Sequence, residues 1–191
     1  IEQESLEVFN IETDSQTYAL PFIVHNCADK TGTITQNKMT VTKIFVDNKI
    51  LDVNENSKNK DLMLKIISNC NDSKLPNIGD PTELALLRIN PQIEIYPRID
   101  EIPFSSERKY MITHHNINNK IMTFAKFAPE KILELCSYIN LNGKITKFTN
   151  EKKASVLKIN EDLAKNALRL LGCAYSEGKK TKDLIFVGLV G

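Results

Sequence analysis

The chain has 191 residues, of which 41% are hydrophobic and 26% are charged, and its formal net charge is +1. This length and apolar fraction suit one ordinary domain, or one domain and a fragment, and they exclude wholesale disorder. Because the charges are balanced, electrostatics gives no reason to expect a nucleic-acid or anionic-membrane partner. No apolar run approaches the roughly 18 residues of a membrane-spanning helix, so we expect this stretch of chain to be soluble.

The cysteines indicate the redox environment of the protein, and the first residue indicates whether the sequence is part of a longer chain. Cys27, Cys70, Cys136 and Cys173 are widely spaced and form no CxxC pair. This spacing disfavours both a zinc site and a secreted disulfide framework, and we expect a reduced, intracellular chain. The chain starts at Ile1, without Met or a signal-peptide pattern, so we expect a piece of a longer protein.

The first half of the chain contains turn, helix and hairpin signals. Alternating residues predict short strands near 7–11 and 18–24, and a hairpin over 39–53 that turns at Asp47-Asn48. Helical spacing predicts a helix over 61–69. Asp80, followed by a proline, predicts the N-cap of a second helix over 80–87.

The second half of the chain also contains both strand and helix signals. Three β-rich runs are predicted within 93–127, then a short helix over 129–136 and a hairpin over 138–148 that turns at Asn142-Gly143. A long helix capped by Thr149 and two final strands complete the prediction, over 149–167, 168–175 and 184–190. This order of elements indicates an α+β domain built on an antiparallel sheet.

One stretch carries recognisable chemistry, the run Asp29-Lys30-Thr31-Gly32-Thr33. A carboxylate can attack a phosphoryl group and hold it covalently, and Lys30 supplies positive charge beside that nucleophile. Gly32 allows the backbone to approach a phosphate closely. Thr31 and Thr33 offer oxygens to phosphate and Mg²⁺. The same residue types also favour a simple solvated turn.

The surrounding sequence resembles a known family. The run CADKTGTITQNKMTV, at 27–41, resembles the phosphorylation motif of P-type cation-transporting ATPases. The resemblance continues in order through GDPTELALL, IPFSSERKYM, KFAPEKILELC, NALRLLGCAY and DLIFVGLVG, and covers 27–191. The continuation TQNKMTV is most similar to the calcium-pump branch.

The resemblance implies two domains. Residues 27–39 and 178–191 would belong to a Rossmann-like, haloacid-dehalogenase-type phosphorylation domain. Residues 40–177 would form an inserted, antiparallel-sheet nucleotide-binding domain. Asp29 would accept the γ-phosphate of MgATP, assisted by Lys30 and Thr33, and Asp29 and Thr31 would be ligands of Mg²⁺.

The resemblance also implies a nucleotide pocket. Phe104 would stack on adenine, Lys109 and Lys126 would line the pocket, and Glu83 and Arg169 would fix its edge. Each residue also has an ordinary structural interpretation: Phe104 as a core aromatic, Lys126 as a surface lysine, Glu83 as a helix N-terminal acid and Arg169 as half of a surface ion pair.

One residue departs from the family pattern. The family's KGAPE is Lys126-Phe127-Ala128-Pro129-Glu130 in this chain. A phenyl ring occupies more space than the glycine that allows close approach to a nucleotide. We therefore expect either weak nucleotide binding or a Phe127 side chain that points away from the pocket.

The implied function is that of a fragment of an ATP-driven cation pump, with Ca²⁺ as the expected cargo and ATP and Mg²⁺ as cofactors. The parent would be an integral membrane protein, and this fragment would face the cytoplasm and be inactive alone. Two alternatives remain open: a stand-alone ATP-binding module without turnover, and a phosphatase of the same superfamily. Thr31 disfavours the phosphatase, because such enzymes usually carry a second Asp at that position.

Residues 1–26 do not fit the family. Their run VFNIETDSQTYALPFIVHNC, which extends to Cys27, resembles the C-terminal segment of an intein, a self-splicing insert. Asn26 would cyclise and cut the bond to Cys27, with His25 assisting proton transfer and the Cys27 thiol taking over the upstream chain. Splicing would need a separate N-terminal intein half. Gln16 stands where inteins are expected to have a further histidine. The alternative to an intein segment is a diverged strand of the host protein.

Overall fold

The computed structural model describes residues 11–13, 16–18 and 39–191. The chain divides into two compact units, Ile1–Lys38 and Met39–Gly191. In the first unit, strands β1 (Ile11–Thr13) and β2 (Gln16–Tyr18) pair antiparallel. They share only their end residues with the predicted strands at 7–11 and 18–24. Seven residues with predicted chemical roles lie outside the described ranges: His25, Asn26, Cys27, Asp29, Lys30, Thr31 and Thr33.

The second unit contains a nine-stranded sheet and several helices. The strands are β3 (Lys43–Val46), β4 (Lys49–Asp52), β5 (Arg98–Ile102), β6 (Tyr110–Ile117), β7 (Lys120–Phe127), β8 (Cys136–Leu141), β9 (Lys144–Lys147), β10 (Leu171–Glu177) and β11 (Leu184–Val190). The helices are α1 (Lys60–Asn69), α2 (Pro81–Ile89), α3 (Ile132–Leu135) and α4 (Asn150–Ala164), with a 3-10 turn at Pro129–Lys131 before α3. Among the described residues, no helix combines the length and the apolar character that crossing a membrane requires.

The sheet is antiparallel with one exception. Its main order is β4-β3-β11-β10-β7-β6-β5, and all of these neighbours are antiparallel. β8 pairs parallel with the first half of β11, and β9 extends the sheet from β8. The mostly antiparallel sheet predicted from the sequence is therefore confirmed, while the parallel pair was not predicted.

Two hairpin turns follow from their residue types. Asp47 and Asn48 have φ of 54° and 59°, and Asn142 and Gly143 have φ of 52° and 81°. Two-residue hairpin turns of type I′ need positive φ at both central positions, and Asp, Asn and Gly tolerate that conformation best. Both predicted hairpins are present, as β3–β4 and β8–β9.

Strand β11 contains a β-bulge between its two halves. Phe186 pairs with Ala174 and Gly188 pairs with Cys173, so Val187 is an extra residue opposite β10. On its other edge, β11 pairs with β8 up to Phe186 and with β3 from Gly188 onwards. The bulge therefore lies where β11 changes partners. The sequence prediction placed 178–191 outside the nucleotide-binding domain, whereas β11 is an interior strand of this same sheet.

The sheet separates two hydrophobic clusters. On β7, Ala125 and Phe127 belong to one cluster, together with Ile132 of α3 and Val156 of α4. Phe124 belongs to the other cluster, which includes four residues of α1 and two of α2: Met63, Leu64, Ile66, Ile67, Ala85 and Leu86. Alternate residues of a strand point to opposite faces, so each face of β7 packs against its own helices.

Two helices begin at the N-cap residues predicted from the sequence, and a third helix is shorter than predicted. The Asp80 carboxylate accepts hydrogen bonds from the backbone N–H groups of Thr82 and Glu83, at 2.8 and 3.2 Å, as an N-cap should. Thr149 caps α4 in the same way. The predicted helix over 129–136 is instead a 3-10 turn followed by a single turn of α-helix, because Cys136 already begins β8.

Candidate functional site

A cleft of about 380 Å³ opens where α2 begins, where β7 ends and where β10 begins. Residues from several separate parts of the chain line it, and they include every described residue that the sequence analysis assigned to a nucleotide pocket. These are Glu83, Phe104, Lys109, Lys126 and Arg169.

The start of α2 positions Glu83. With Asp80 as N-cap and Pro81 at the first helical position, Glu83 is the third residue of the helix. Its backbone N–H is capped by Asp80, which leaves its carboxylate to interact elsewhere. The structural interpretation of Glu83 as an ordinary helix N-terminal acid is therefore incomplete, because its side chain binds groups outside α2.

Lys126 on β7 forms an ion pair with Glu83. Their Nζ and Oε1 atoms are 2.5 Å apart, and the two side chains are only 7% and 17% exposed. Lys126 is thus a buried lysine rather than a surface one. Because burial of a lone ammonium is costly, the Glu83 carboxylate is what allows this cation to lie in the wall of the cleft.

Phe104 and Lys109 lie on the segment between β5 and β6. Phe104 is 60% exposed, so it is not a core aromatic. Lys109 has a φ of 58°, its backbone carbonyl accepts a hydrogen bond from the Ala128 N–H at 2.9 Å, and its Nζ lies 3.6 Å from Glu130 Oε1. The Ala128 bond connects this segment to the residue that follows β7, which places an exposed ring and a cation on the same cleft.

Phe127 contributes to the wall of the cleft, yet its side chain is buried in the core. It is 1% exposed and belongs to the cluster that packs on α3 and α4. Its cross-strand partner is Gly172 on β10. The sequence predicted either weak nucleotide binding or a Phe127 side chain that points away from the pocket. In the structure the Phe127 ring points away from the pocket and fills the space over Gly172.

Arg169 lies just before β10 and is exposed. None of the ion pairs among residues 39–191 includes it, so the interpretation as half of a surface ion pair finds no support there. Leu170 and Leu171 follow it and line the same cleft. Arg169 therefore adjoins an apolar part of the cleft lining.

The cleft combines an apolar surface with cations. Phe104, Ala128 and the two leucines can contact a flat, weakly polar ring. Lys109, Lys126 and Arg169 can bind an anionic group, with Lys126 already balanced by Glu83. This combination suits a ligand that joins an aromatic base to a negatively charged tail.

The segment 71–73 also belongs to the surroundings of the cleft, although no sequence motif predicted it. Backbone and side-chain groups of Asn71, Asp72 and Ser73 donate hydrogen bonds to Glu83. Their residue types are common in loops, so the only sequence signal was a short polar run one residue after the end of α1.

Within residues 39–191, neither thiols nor metal ligands suggest another kind of site. Cys70, Cys136 and Cys173 are buried free thiols. Burial raises the pKa of all three, that of Cys173 to about 12, which makes them poor nucleophiles. No group of three or more His, Cys, Asp or Glu side chains in the described part of the chain could hold a metal ion. The predicted Mg²⁺ ligands, Asp29 and Thr31, lie outside that part.

Comparisons with known proteins show what this chain is similar to. A family model described as "P-type ATPase, cytoplasmic domain N" matches residues 56–191. Calcium-transporting ATPase 1 of Bacillus cereus is 37% identical over 91% of this chain and 22% of its own length, and that of Lactococcus lactis is 35% identical over 85% and 21%. The sodium/potassium-transporting ATPase subunit alpha-1 of Oreochromis mossambicus is 34% identical over 78% and 18%. The chain thus spans about a fifth of the length of these relatives.

Proposed function

This chain belongs to the P-type ATPase family, and from that premise we propose that the unit Met39–Gly191 binds ATP in the cleft between α2, β7 and β10. Phe104 stacks on the adenine ring. Lys109 and Lys126 face the nucleotide, while Glu83 and Arg169 fix the edge of the pocket.

The observation that carries this proposal is the convergence of five residues. They come from motifs that are far apart in the sequence and all line one cleft: Glu83, Phe104, Lys109, Lys126 and Arg169. The volume of about 380 Å³ lies within the range typical of small-ligand pockets. An aromatic residue that is 60% exposed is otherwise costly to leave in water, and a stacked base would cover it.

A nucleotide titration of the purified 191-residue chain tests the proposal. Isothermal calorimetry would measure the ATP dissociation constant, and amide chemical shifts would locate the binding surface. Phe104→Ala should weaken binding about five- to 150-fold, since stacking on a base contributes about 1–3 kcal/mol. Tyr138→Ala is the matched control, because Tyr138 is an exposed aromatic on β8 that does not line the cleft.

Two outcomes would contradict the proposal. The first is a folded chain that shows no saturable binding at millimolar ATP. The second is binding that Phe104→Ala and Tyr138→Ala weaken equally, because the cleft would then have no particular part in it.

For the longer parent protein we propose the reaction of a cation pump. Asp29 attacks the γ-phosphate of MgATP, the bond to the bridging oxygen breaks, and ADP leaves with that oxygen. Lys30 and Thr33 orient the phosphate, and Asp29 and Thr31 provide oxygens for Mg²⁺. The names of the bacterial relatives favour Ca²⁺ as the cargo. In the complete pump, Asp29→Asn should abolish the acid-stable phosphoenzyme formed from labelled ATP.

Two activities are alternatives to the pump reaction. A stand-alone ATP-binding module would bind ATP in the same cleft without turnover, and this is the behaviour we expect of the 191-residue chain alone. A phosphatase would need a carboxylate where Thr31 stands, two residues after the nucleophile. Hydrolysis of a model phosphate ester by the isolated chain would favour the phosphatase.

For residues 1–26 we propose an origin as an intein C-terminal segment, with His25, Asn26 and Cys27 as its splicing residues. The polar character of this segment and its position directly before the Asp29 motif support the proposal. Supplying a matching N-terminal intein half should yield a product that begins at Cys27. Intact mass measured under reducing conditions would reveal the break at Asn26, and its absence would count against splicing activity.

A further inference from the structure

Three donors from one short segment hold Glu83. The Asn71 side-chain amide donates to the Glu83 backbone carbonyl at 3.0 Å. The Asp72 backbone N–H donates to Glu83 Oε2 at 3.1 Å, and the Ser73 hydroxyl donates to the same oxygen at 3.0 Å. Oε2 is therefore bound by the segment 71–73, while Oε1 is 2.5 Å from the Lys126 ammonium.

The chain leaves room for the Ser73 hydroxyl by means of a glycine. Gly79 has a φ of 116°, and a Cβ at this position would lie 2.1 Å from Ser73 Oγ and 2.8 Å from Ser73 Cα. Any side chain at position 79 would displace Ser73. The glycine of the GDPTE run thus passes directly over the hydroxyl that binds the glutamate of that run.

The far side of the segment is fixed by Arg98 of β5. Its guanidinium donates to Asp72 Oδ1 and to the Asn71 carbonyl oxygen, each at 2.7 Å. The Asn71 side chain in turn accepts the Ser73 N–H at 2.9 Å. The segment is therefore held by the sheet on one side and holds Glu83 on the other.

We propose that Ser73 is a positioning residue for the nucleotide cleft and acts through Glu83. The inference rests on the proposed ATP-binding function of that cleft. The last torsion of a glutamate side chain is broad and roughly two-fold, so the side chain itself does not fix the plane of its carboxylate. The Ser73 and Asp72 donors fix it by binding Oε2, which presents Oε1 to Lys126 and holds that ammonium in the wall of the cleft.

Removal of one of these donors should weaken nucleotide binding. In the Ser73→Ala variant, only the Asp72 N–H remains on Oε2, so the carboxylate can rotate and Lys126 loses its fixed partner. We expect the ATP dissociation constant to rise about three- to tenfold, the effect of one hydrogen bond. Calorimetric titration of the 191-residue chain would measure it.

A matched control and a double variant separate positioning from general destabilisation. Ser68 is also buried, at 4% exposed, but its hydroxyl has no hydrogen-bond partner within the described residues, so Ser68→Ala should leave the affinity unchanged. In a Glu83→Ala background, Ser73→Ala should cause no further loss, because the group through which it acts is absent. A merely structural role would give losses in affinity that add.

The outcomes distinguish this inference from the function on which it rests. Failure of the unsubstituted chain to bind ATP overturns the proposed function and the inference together. Normal binding by the unsubstituted chain and by Ser73→Ala alike overturns the inference alone, as do additive losses in the double variant. If Ser73→Ala does not fold, Ser73→Cys provides the same comparison, since a thiol is close in size and a weaker donor.

Discussion

The ring of Phe127 on β7 lies over Gly172, its cross-strand partner on β10. A Cβ at position 172 would be 2.6 Å from Phe127 Cε2 and 3.0 Å from Cδ2. The bulky residue therefore occupies the space that a side chain on the adjacent strand would need. This pairing explains how the chain carries Phe127 beside the cleft and still leaves the cleft open.

Gly172→Ala should destabilise the domain, because the added methyl group meets a ring that is itself buried. We expect a loss of about 1–3 kcal/mol in the free energy of unfolding, as is typical of overpacked cores. Urea denaturation would measure it. In a Phe127→Leu background the same substitution should cost clearly less, and equal costs in the two backgrounds would show that the ring and the methyl group do not compete.

Removal of the buried Lys126 ammonium should destabilise the fold more than removal of a lysine from an exposed ion pair. Lys126→Met leaves the largely buried Glu83 carboxylate without its cation, and we expect a loss of about 3 kcal/mol in the free energy of unfolding. Adding Glu83→Gln should restore part of it. Lys131→Met is the control, because its partner Glu134 is 63% exposed and such pairs contribute under about 1 kcal/mol. Equal losses would contradict the role given to burial.

Asp47 should stabilise the fold in a pH-dependent way. Burial by itself raises the pKa of this carboxyl, but hydrogen bonds from Ser57, from the Asn142 and Asn59 N–H groups and from the Asn59 side chain outweigh burial and hold the pKa below its ordinary value of 3.8. A carboxyl whose pKa is lowered in the folded state adds stability above its unfolded pKa, and that stability is lost as the pH falls through the folded pKa.

Asp47→Asn should therefore cost about 1–3 kcal/mol near neutral pH, since it removes a charged acceptor but tolerates the positive φ. The difference from the unsubstituted chain should shrink as the pH falls below about 4. Asp52→Asn is the control on the same hairpin, because its ion pair with Lys43 is exposed. A pH-independent loss for Asp47→Asn would contradict the argument.

His114 should make the domain less stable in mild acid. The Thr123 hydroxyl donates to the Gly178 carbonyl at 2.6 Å, so it accepts from His114 Nδ1 at 2.8 Å, and the neutral ring carries its proton on Nδ1. Burial lowers the pKa of His114 below its ordinary value of 6.5, and that of His115 as well. The unfolded chain then binds protons that the folded chain does not, so stability falls as the pH drops below about 6.5.

His114→Asn should reduce this acid sensitivity, because the amide can still donate near the position of Nδ1 and does not titrate. Urea unfolding at pH 7.5 and at pH 5.5 would measure the difference for both proteins. A slope with pH that the substitution leaves unchanged would assign the effect to His115 or to other groups.

The sequence by itself determined the local elements. Asp80 capped α2 and Thr149 capped α4 as predicted, and the dipeptides Asp47-Asn48 and Asn142-Gly143 formed hairpin turns. These outcomes depend on interactions within a few residues, so single-chain patterns contain them. The P-type ATPase motifs likewise identified the family, and they contain five residues that line the cleft.

Only the tertiary structure decided how distant segments meet. The parallel pairing of β8 with β11, and the change of partner from β8 to β3 at Val187, depend on strands that are far apart in the sequence. The same is true of Phe127, whose ring could point to the core because Gly172 faces it. Ser73 reaches Glu83 only because Gly79 leaves room above it. Each depends on which atoms of remote residues come into contact, and that information is absent from any local pattern.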